Sequence, residues 1–236
     1  MDFQGISGNF TAAGVEALAI TVFKDEKASS GTLKELDKLT GGQISAVMRS
    51  EEFKGEAGDT SLLRLTPKGK MKASRLLLVG VGDKKEFKPS DVAVAAGTAT
   101  RSLRKSNAKS IAFSSPSSIS AIEAAQHAAQ GAITSQFELD KYKTKEKNDK
   151  AVTKFVFHAE GAKGSDLKNG LSRGETIGES MNFIFNRRAI PRSSTLYNTR
   201  IHRRSMQRRT DDLMGLAIGV SNMTWHLTLL DPIAGE

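Results

Sequence analysis

The chain has 236 residues, a formal net charge of +9 and no Cys, and 38% of its residues are hydrophobic. This composition is that of a globular chain, long enough for one large domain or for a domain of about 150 residues with a smaller part. The absence of Cys excludes a disulfide scaffold, a Cys-ligated zinc site and a thiol nucleophile. The first ten residues include an acid and no apolar run, which predicts neither a signal peptide nor a transit peptide and favours a cytoplasmic protein.

Short apolar runs predict five β-strands before residue 160. Each run is aliphatic or β-branched and is bounded by Gly, Pro, Ser or Asp, as strands are in α/β proteins. The runs cover residues 17–23, 61–65, 75–80, 109–113 and 152–157.

Helical patterns lie between these strands. The segment that begins Pro89-Ser90-Asp91 predicts a helix over 90–105, started by a Ser or Asp cap. A second helix is predicted over 119–135. The apolar face of the first collects Val92, Ala95, Ala96, Ala99 and Leu103, and that of the second Ile122, Ala125, Ala129 and Ile133.

A third helical pattern runs from Ser165, and its small residues predict that the helix backbone lies close to a sheet. Its face is formed by Leu167, Leu171, Gly174, Gly178 and Met181. The segment from Thr32 to Phe53 predicts one or two short helices divided at Gly41-Gly42.

The alternation of strands and helices predicts an α/β fold. Successive strand-helix-strand units demand crossovers, and these give a mixed, mostly parallel sheet with helices on both faces. The segment from Lys141 to Lys150 is too charged to bury, so we interpret it as an exposed connection.

The composition of the sequence changes after Phe183. No Lys follows this position, and the eight Arg of this part lie between Arg187 and Arg209 without helical or strand periodicity, which predicts an irregular, poorly ordered tail. Residues 213–230 are apolar but are interrupted by Asn222, Thr224 and His226. A membrane span needs about 20 mostly apolar residues, so we expect no membrane partner.

A search for sites assigns no catalytic, cofactor-binding or metal-binding residue to this chain. Gly80-Val81-Gly82 resembles the opening of a dinucleotide fingerprint, but Lys85 stands at the third glycine position, so a plain strand-to-helix turn is the better interpretation. Adjacent acids at Glu51-Glu52 and Asp211-Asp212 are interpreted as solvated charge. The chain has four His: His127, His158, His202 and His226. They lack the spacing of metal ligands, and His127 is expected on a helix surface.

Four segments in combination resemble the N-terminal domain of the leucyl aminopeptidase (cytosol aminopeptidase) family. They are RLLLVGVGDKKEF at 75–87, the Ala-rich helix with Ala95-Ala96-Gly97, GAITSQFELDKYKTKEK at 131–147, and the helix that ends in Met181-Asn182-Phe183. The resemblance covers about residues 1–183 and implies a macro-domain-like α/β domain. It also implies a metal-dependent exopeptidase that assembles as a homo-oligomer.

In that family, a longer C-terminal domain holds two divalent metals, manganese or zinc, and the catalytic residues. Its motifs DSGG and NTDAEGR do not occur in this chain. The resemblance therefore predicts a non-catalytic domain over residues 1–183 that binds no metal and is inactive alone. Its expected partners are copies of itself or intact aminopeptidase subunits.

Three hypotheses address residues 184–236. The loss of Lys and the Arg pairs at one point are typical of a shifted reading frame in a GC-rich gene, and a fused tail is the alternative. A different hypothesis is a macro-domain-like binding module whose Arg tail contacts nucleic acid or another polyanion. The flanking sequence lacks a recognition-helix pattern and aromatic residues for base stacking, which argues against specific recognition.

Overall fold

One six-stranded sheet organises the computed structural model, which describes residues 1–29, 31–66, 72–137 and 150–188. The order across the sheet is β1-β6-β5-β2-β4-β3, and every neighbouring pair is parallel except β3 with β4. The strands are β1 Asp2–Ile6, β2 Ala17–Val22, β3 Thr60–Arg64, β4 Arg75–Gly80, β5 Ser110–Ser114 and β6 Lys154–His158. The predicted mixed, mostly parallel sheet is confirmed.

Helices cover both faces of this sheet, as predicted. The short helices α1 and α2 pack on one face and the longer α3, α4 and α5 on the other, each side with its own apolar core. The helices are α1 Gly31–Leu39, α2 Gln43–Arg49, α3 Pro89–Lys105, α4 Ala121–Ser135 and α5 Gly164–Arg188. The predicted division at Gly41-Gly42 therefore separates α1 from α2.

The two cores follow from the alternation of side chains along the strands. In β4, Leu76 and Leu78 face α1 and α2, whereas Leu77 and Val79 face the three-helix layer. All four are at most 1% exposed. A strand buried on both faces reads as an unbroken apolar run, which explains why the predicted bounds of β4 match the observed ones.

Strand β1 was not predicted from the sequence. It is a strand of only five residues, two of them exposed and three partly buried, and among the described strands it pairs only with β6. Its Gly5 lies against Leu167 of α5, where an added Cβ would be 2.6 Å from the Leu167 Cβ. Tertiary contacts, not a local apolar pattern, define this strand.

The predicted cap of α3, Ser90 or Asp91, is wrong by two or three residues. The helix starts at Pro89 and its N-cap is Lys88. The carboxylate of Asp91, at the third helical position, accepts a hydrogen bond of 2.8 Å from the Lys88 backbone N–H. The Asp91 side chain, which lies in the first turn, thus provides a hydrogen-bond acceptor for the N–H group of the N-cap residue.

The small residues of α5 face α4, not the sheet, so that prediction is wrong. A Cβ at Gly170 or Gly174 would meet the backbone carbonyl of Ile122 or Gln126, and one at Gly178 would lie 2.9 Å from the Ile133 Cβ. Helical periodicity identifies the face of small residues but not the element opposite it. Glycine here lets two helix backbones approach each other.

Two predicted segments lie outside the described residues: most of the charged connection at 141–150 and the tail after residue 188. Helix α5 itself continues five residues past Phe183, to Arg188. None of the five described helices carries an apolar stretch long enough to cross a bilayer.

Replacing Asp37 by Ala is expected to destabilise the domain by about 1–2 kcal/mol. Helix α2 begins after Gly42, which has no side chain to cap it. The Asp37 carboxylate of α1 supplies the cap by accepting bonds from the Ser45 N–H at 2.9 Å and the Ser45 hydroxyl at 2.5 Å. Urea denaturation measures the loss. The neighbouring Lys38→Ala is the control, and equal effects of the two substitutions would contradict the capping role.

Candidate functional site

The glycine turn after β4 has no free backbone donors for a phosphate. The N–H groups of Gly80, Val81 and Gly82 donate to the carbonyl oxygens of Asp59, Val22 and Gly55 at 2.8, 3.0 and 2.9 Å. A dinucleotide-binding turn presents such groups to the pyrophosphate. The geometry therefore agrees with the interpretation as a plain strand-to-helix turn.

These glycines instead permit a close crossing of two backbones. A Cβ at Gly80 would meet the carbonyl group of Glu56, and a Cβ at Gly55, where φ is +74°, would lie 2.5 Å from the Phe23 carbonyl oxygen. The turn at residues 55–59 can pack against the ends of β2 and β4 only without those side chains. Their role is structural.

A buried Ser–His pair lies at the carboxyl ends of β5 and β6. The Ser114 Oγ is 2.9 Å from the His158 Nδ1, and the two residues are only 5% and 4% exposed. The imidazole also packs against the Phe10 ring, with centroids 5.2 Å apart, and hydrogen-bonds to the backbone of Gly8. Groups of the protein thus hold this ring from several sides.

The pair forms part of the floor of a cleft of about 620 Å³ at this edge of the sheet. Ligands of open α/β sheets bind beyond the carboxyl ends of the strands, where neighbouring connections leave in opposite directions. The Thr21 hydroxyl, also on the floor, donates 3.1 Å to the Ser114 carbonyl oxygen. Thr21, Ser114 and His158 all bond within the protein, so these three polar groups are not reserved for a ligand.

Burial lowers the pKa of His158, against smaller opposing effects of its bond to the Gly8 backbone and of the Glu160 charge. The neutral imidazole is therefore the form that fits the folded state. A Ser–His pair in a hydrolase needs an accessible hydroxyl and a third group that orients the ring. Ser114 is buried, so this pair is interpreted as a structural one.

Stability is expected to fall as pH drops below about 6.5, the usual pKa of a histidine in an unfolded chain. The lowered folded pKa of His158 means that the unfolded chain binds a proton first, so its stabilising effect is present above that pH and lost below it. One such proton changes the free energy of unfolding by at most about 1.4 kcal/mol per pH unit. Urea midpoints at pH 8 and 5.5 measure the effect.

Comparison with His158→Gln isolates this residue, because the variant should lose stability at pH 8 yet show a smaller decrease between pH 8 and 5.5. The pKa of the half-buried His127 is also lowered by burial, against Glu123 and Gln130. His127→Gln is therefore the second variant to measure. An unchanged pH dependence in His158→Gln would contradict the assignment.

The remaining residues singled out in the sequence do not converge on one site. His127 lies half-buried on α4, and Glu51 and Glu52 lie exposed after α2. His202, His226 and Asp211-Asp212 lie outside the described residues. Within the described ranges, no three or more His, Asp or Glu side chains are grouped so that they could hold a metal ion.

The end of α5 differs from the rest of the surface. Phe183, Ile184 and Phe185 follow one another there with exposures of 36%, 46% and 40%. The Phe137 ring contacts the Phe185 ring, with centroids 5.7 Å apart. Next to them, the Asn182 Nδ2 donates 3.2 Å to the Ile133 carbonyl oxygen, while its buried Oδ1 has no partner in the described part of the chain.

Sequence reasoning missed both the Ser–His pair and Asn182. The pair could have been found, because Ser114 and His158 each follow a predicted strand by one residue, and consecutive strands of a parallel sheet are often neighbours. No sequence pattern indicates that the Asn182 Oδ1 is buried without a partner. That observation requires the packing of α5 on α4.

Comparison with known proteins gives a family-level match. The profile of the cytosol aminopeptidase family, N-terminal domain, matches residues 19–146. A probable cytosol aminopeptidase of Geobacter sp. (strain M21) is 37% identical over 57% of this chain and 26% of its own length. One of Alkaliphilus metalliredigens (strain QYMF) is 28% identical over 75% of this chain and 36% of its own length. The chain thus spans between a quarter and two fifths of these relatives.

Solved structures show the same fold. A mutant of tomato leucine aminopeptidase superposes with a TM-score of 0.62 at 21% identity, covering 76% of this chain and 36% of the tomato chain. The bottromycin maturation enzyme BotP in complex with Mn superposes with a TM-score of 0.54 at 16% identity, covering 75% of this chain and 32% of the BotP chain.

Proposed function

We propose that this chain acts beside a catalytic domain which lies outside these 236 residues. The chain belongs to the cytosol aminopeptidase family, whose N-terminal domain it matches. The observation that carries the proposal is the match itself: it is to the N-terminal domain and covers only 26% of the Geobacter relative. The reaction of the complete assembly is the release of N-terminal amino acids from peptides, and this domain takes no chemical part in it.

The metal ions of that reaction do not fit the residues described in this chain. A catalytic metal needs several carboxylate or imidazole ligands that converge, and the described part of the chain holds no such group. His158 is buried and hydrogen-bonded within the protein. In this proposal, manganese or zinc is held by the catalytic domain.

In this proposal, the family's N-terminal domain spans about residues 1–183, and residues 184–236, of which 184–188 still belong to helix α5, are an Arg-rich segment foreign to it. A shifted reading frame is the origin that we favour for this segment. Translating the encoding DNA in the other two frames after codon 183 tests it. A continuation that resembles the start of a catalytic domain supports the shift, and unrelated sequence in both frames contradicts it.

The partners proposed for the domain are intact aminopeptidase subunits or further copies of the chain, in the cytoplasm. The relatives are aminopeptidases and give no support to a separate macro-domain-like binding module. The Arg residues from Arg192 to Arg209 lie outside the described residues. Polyanion binding is therefore not proposed.

Coexpression tests the association. The tagged 236-residue chain is produced together with the catalytic portion of the Geobacter relative, meaning the part beyond its N-terminal domain. We expect a soluble complex that is recovered through the tag. A catalytic portion that is soluble but absent from the eluate, or that remains insoluble despite coexpression, would contradict the proposal.

A further inference from the structure

A second cleft opens between the loop after β2, the helices α1 and α2, and the segment that follows α2. Its volume is about 860 Å³, which lies within the range of small-molecule sites. Val22 and Phe53, which line it, belong to the core beneath α1 and α2, and Ala28 and Met48 pack against that core. The cleft therefore has an apolar floor.

Basic side chains outnumber acidic ones in the walls of this cleft. Among the described residues that line it, six side chains are basic and four are acidic. Three of the acids have partners of their own and form no ion pair with the cations of α1 and α2. These partners are the Phe23 N–H for Glu26 at 3.0 Å, Ser45 for Asp37, and the Lys54 ammonium for Glu51 at 3.4 Å.

Lys34 and Lys38 of α1 and Arg49 of α2 are the cations that remain. Within the described part of the chain, none of the three forms an ion pair with Asp or Glu. Lys34 and Lys38 are one helical turn apart, where like charges repel each other. The Arg49 Nε donates 3.0 Å to the Ser45 carbonyl oxygen, which holds the guanidinium on α2. An anion bound in the cleft would relieve this repulsion.

The backbone around the cleft is strained at two points. Asp25 and Glu51 both line it, and their φ angles are +60° and +58°. Asn107 is the one other non-glycine residue with a positive φ in the described part of the chain. Residues with side chains are uncommon in this conformation and cluster at functional sites. This observation is independent of the charges and points to the same cleft.

We propose that this cleft binds a small organic anion, whose carboxylate or phosphate head lies beside Lys34, Lys38 and Arg49 and whose apolar body lies on the floor. Small-molecule sites combine an apolar lining with a few charged groups in this way, and ammonium and guanidinium groups form strong hydrogen bonds with either head. Asp25, the fourth acid of the walls, is exposed on the loop after β2. The head group is therefore expected on the side of the two helices.

Isothermal titration calorimetry of the 236-residue chain with hexyl phosphate and with hexanoate tests the site. At least one of these probes is expected to bind, and the tighter one identifies the head group. Hexanol and inorganic phosphate each lack half of the ligand, so each is expected to bind about tenfold more weakly or less. Replacing both lysines, Lys34→Gln and Lys38→Gln, is expected to weaken binding of the probe about tenfold or more.

Lys105→Gln is the matched control, because Lys105 is an exposed lysine at the end of α3 that does not line the cleft. The Arg residues between 187 and 209 also attract anions, so the difference between the double variant and this control is the diagnostic measurement. Failure of both probes to bind, equal binding by the double variant and Lys105→Gln, or inorganic phosphate that binds as tightly as hexyl phosphate would overturn the proposal. Circular dichroism of each variant confirms that the domain is folded. The site does not depend on the proposed function, which the coexpression experiment tests separately.

Discussion

Replacing Gly131 by Ala is expected to lower the free energy of unfolding by about 3 kcal/mol, at the upper end of the usual cost of overpacking a core. Gly131 lies where α4 crosses α3. An added Cβ would meet the carbonyl oxygen of Ala93 and would lie 2.7 and 2.8 Å from the Ala93 carbonyl carbon and Cα. These are backbone atoms, so the clash can be relieved only by moving one helix away from the other.

The sign of the change in the free energy of unfolding shows whether the added Cβ clashes with its neighbours. Ala in a helix interior is intrinsically more favourable than Gly by about 1 kcal/mol, so a Gly→Ala change without close neighbours stabilises. Gly164→Ala is the matched control, since an added Cβ at the first residue of α5 meets nothing within 4 Å. Urea denaturation of the 236-residue chain measures both variants. A stabilised Gly131→Ala would contradict the close approach of α3 and α4.

Gly174→Ala extends the prediction to the next crossing. Its Cβ would meet the carbonyl group of Gln126 and would lie 2.9 Å from the Ala129 Cβ, so α5 would be forced away from α4. A loss of stability similar to that of Gly131→Ala is expected. Both glycines let neighbouring helix backbones approach closely within the three-helix layer.

The central strands could be predicted from the sequence because they are buried on both faces, so their apolar residues follow one another without interruption. Strand β4 is apolar at Leu76, Leu77, Leu78 and Val79, which are buried on alternate faces. Strand β1 could not, because its residues are half-exposed and it exists through pairing with β6. Edge strands lack the pattern that burial on both faces imposes.

The helices show a related limit. The apolar face of α3 was predicted, since Val92, Ala95, Ala96, Ala99 and Leu103 are buried. The partner of the α5 glycines was not, because periodicity defines a face within one element and carries no information about which element packs there. The contact of α5 with α4 arises because both helices pack on the same side of the sheet, and the sequence of α5 does not reveal which side that is.

At the candidate sites, chemistry could be excluded more easily than it could be assigned. The glycine turn after β4 was interpreted as structural because Lys85 breaks the fingerprint, and the bonded N–H groups of Gly80, Val81 and Gly82 agree with that interpretation. The unpartnered Oδ1 of Asn182 arises from packing between α4 and α5, so no reading of the sequence alone could find it.

The purified 236-residue chain is expected to release no leucine from a leucyl amide, with or without added manganese. Hydrolysis of an amide by a metallopeptidase needs a metal-activated water and a Lewis acid on the carbonyl oxygen, both held by converging ligands. The sequence contains neither family motif of the catalytic domain, and the described residues contain no group that could hold a metal. The expected result is no hydrolysis at all by this chain, not a reduced rate.

The control for this assay has to separate the chain from contaminating peptidases. Enzymes turn over about 1–1000 times per second, so a trace of host aminopeptidase would give a measurable signal in a concentrated sample. The Geobacter relative in full length serves as the positive control, and a chelator identifies the metal-dependent part of any rate. Metal-dependent turnover that follows the chain at constant specific activity through successive columns would refute the prediction. It would also require a metal site among the residues outside the described ranges, since the described side chains do not converge on one.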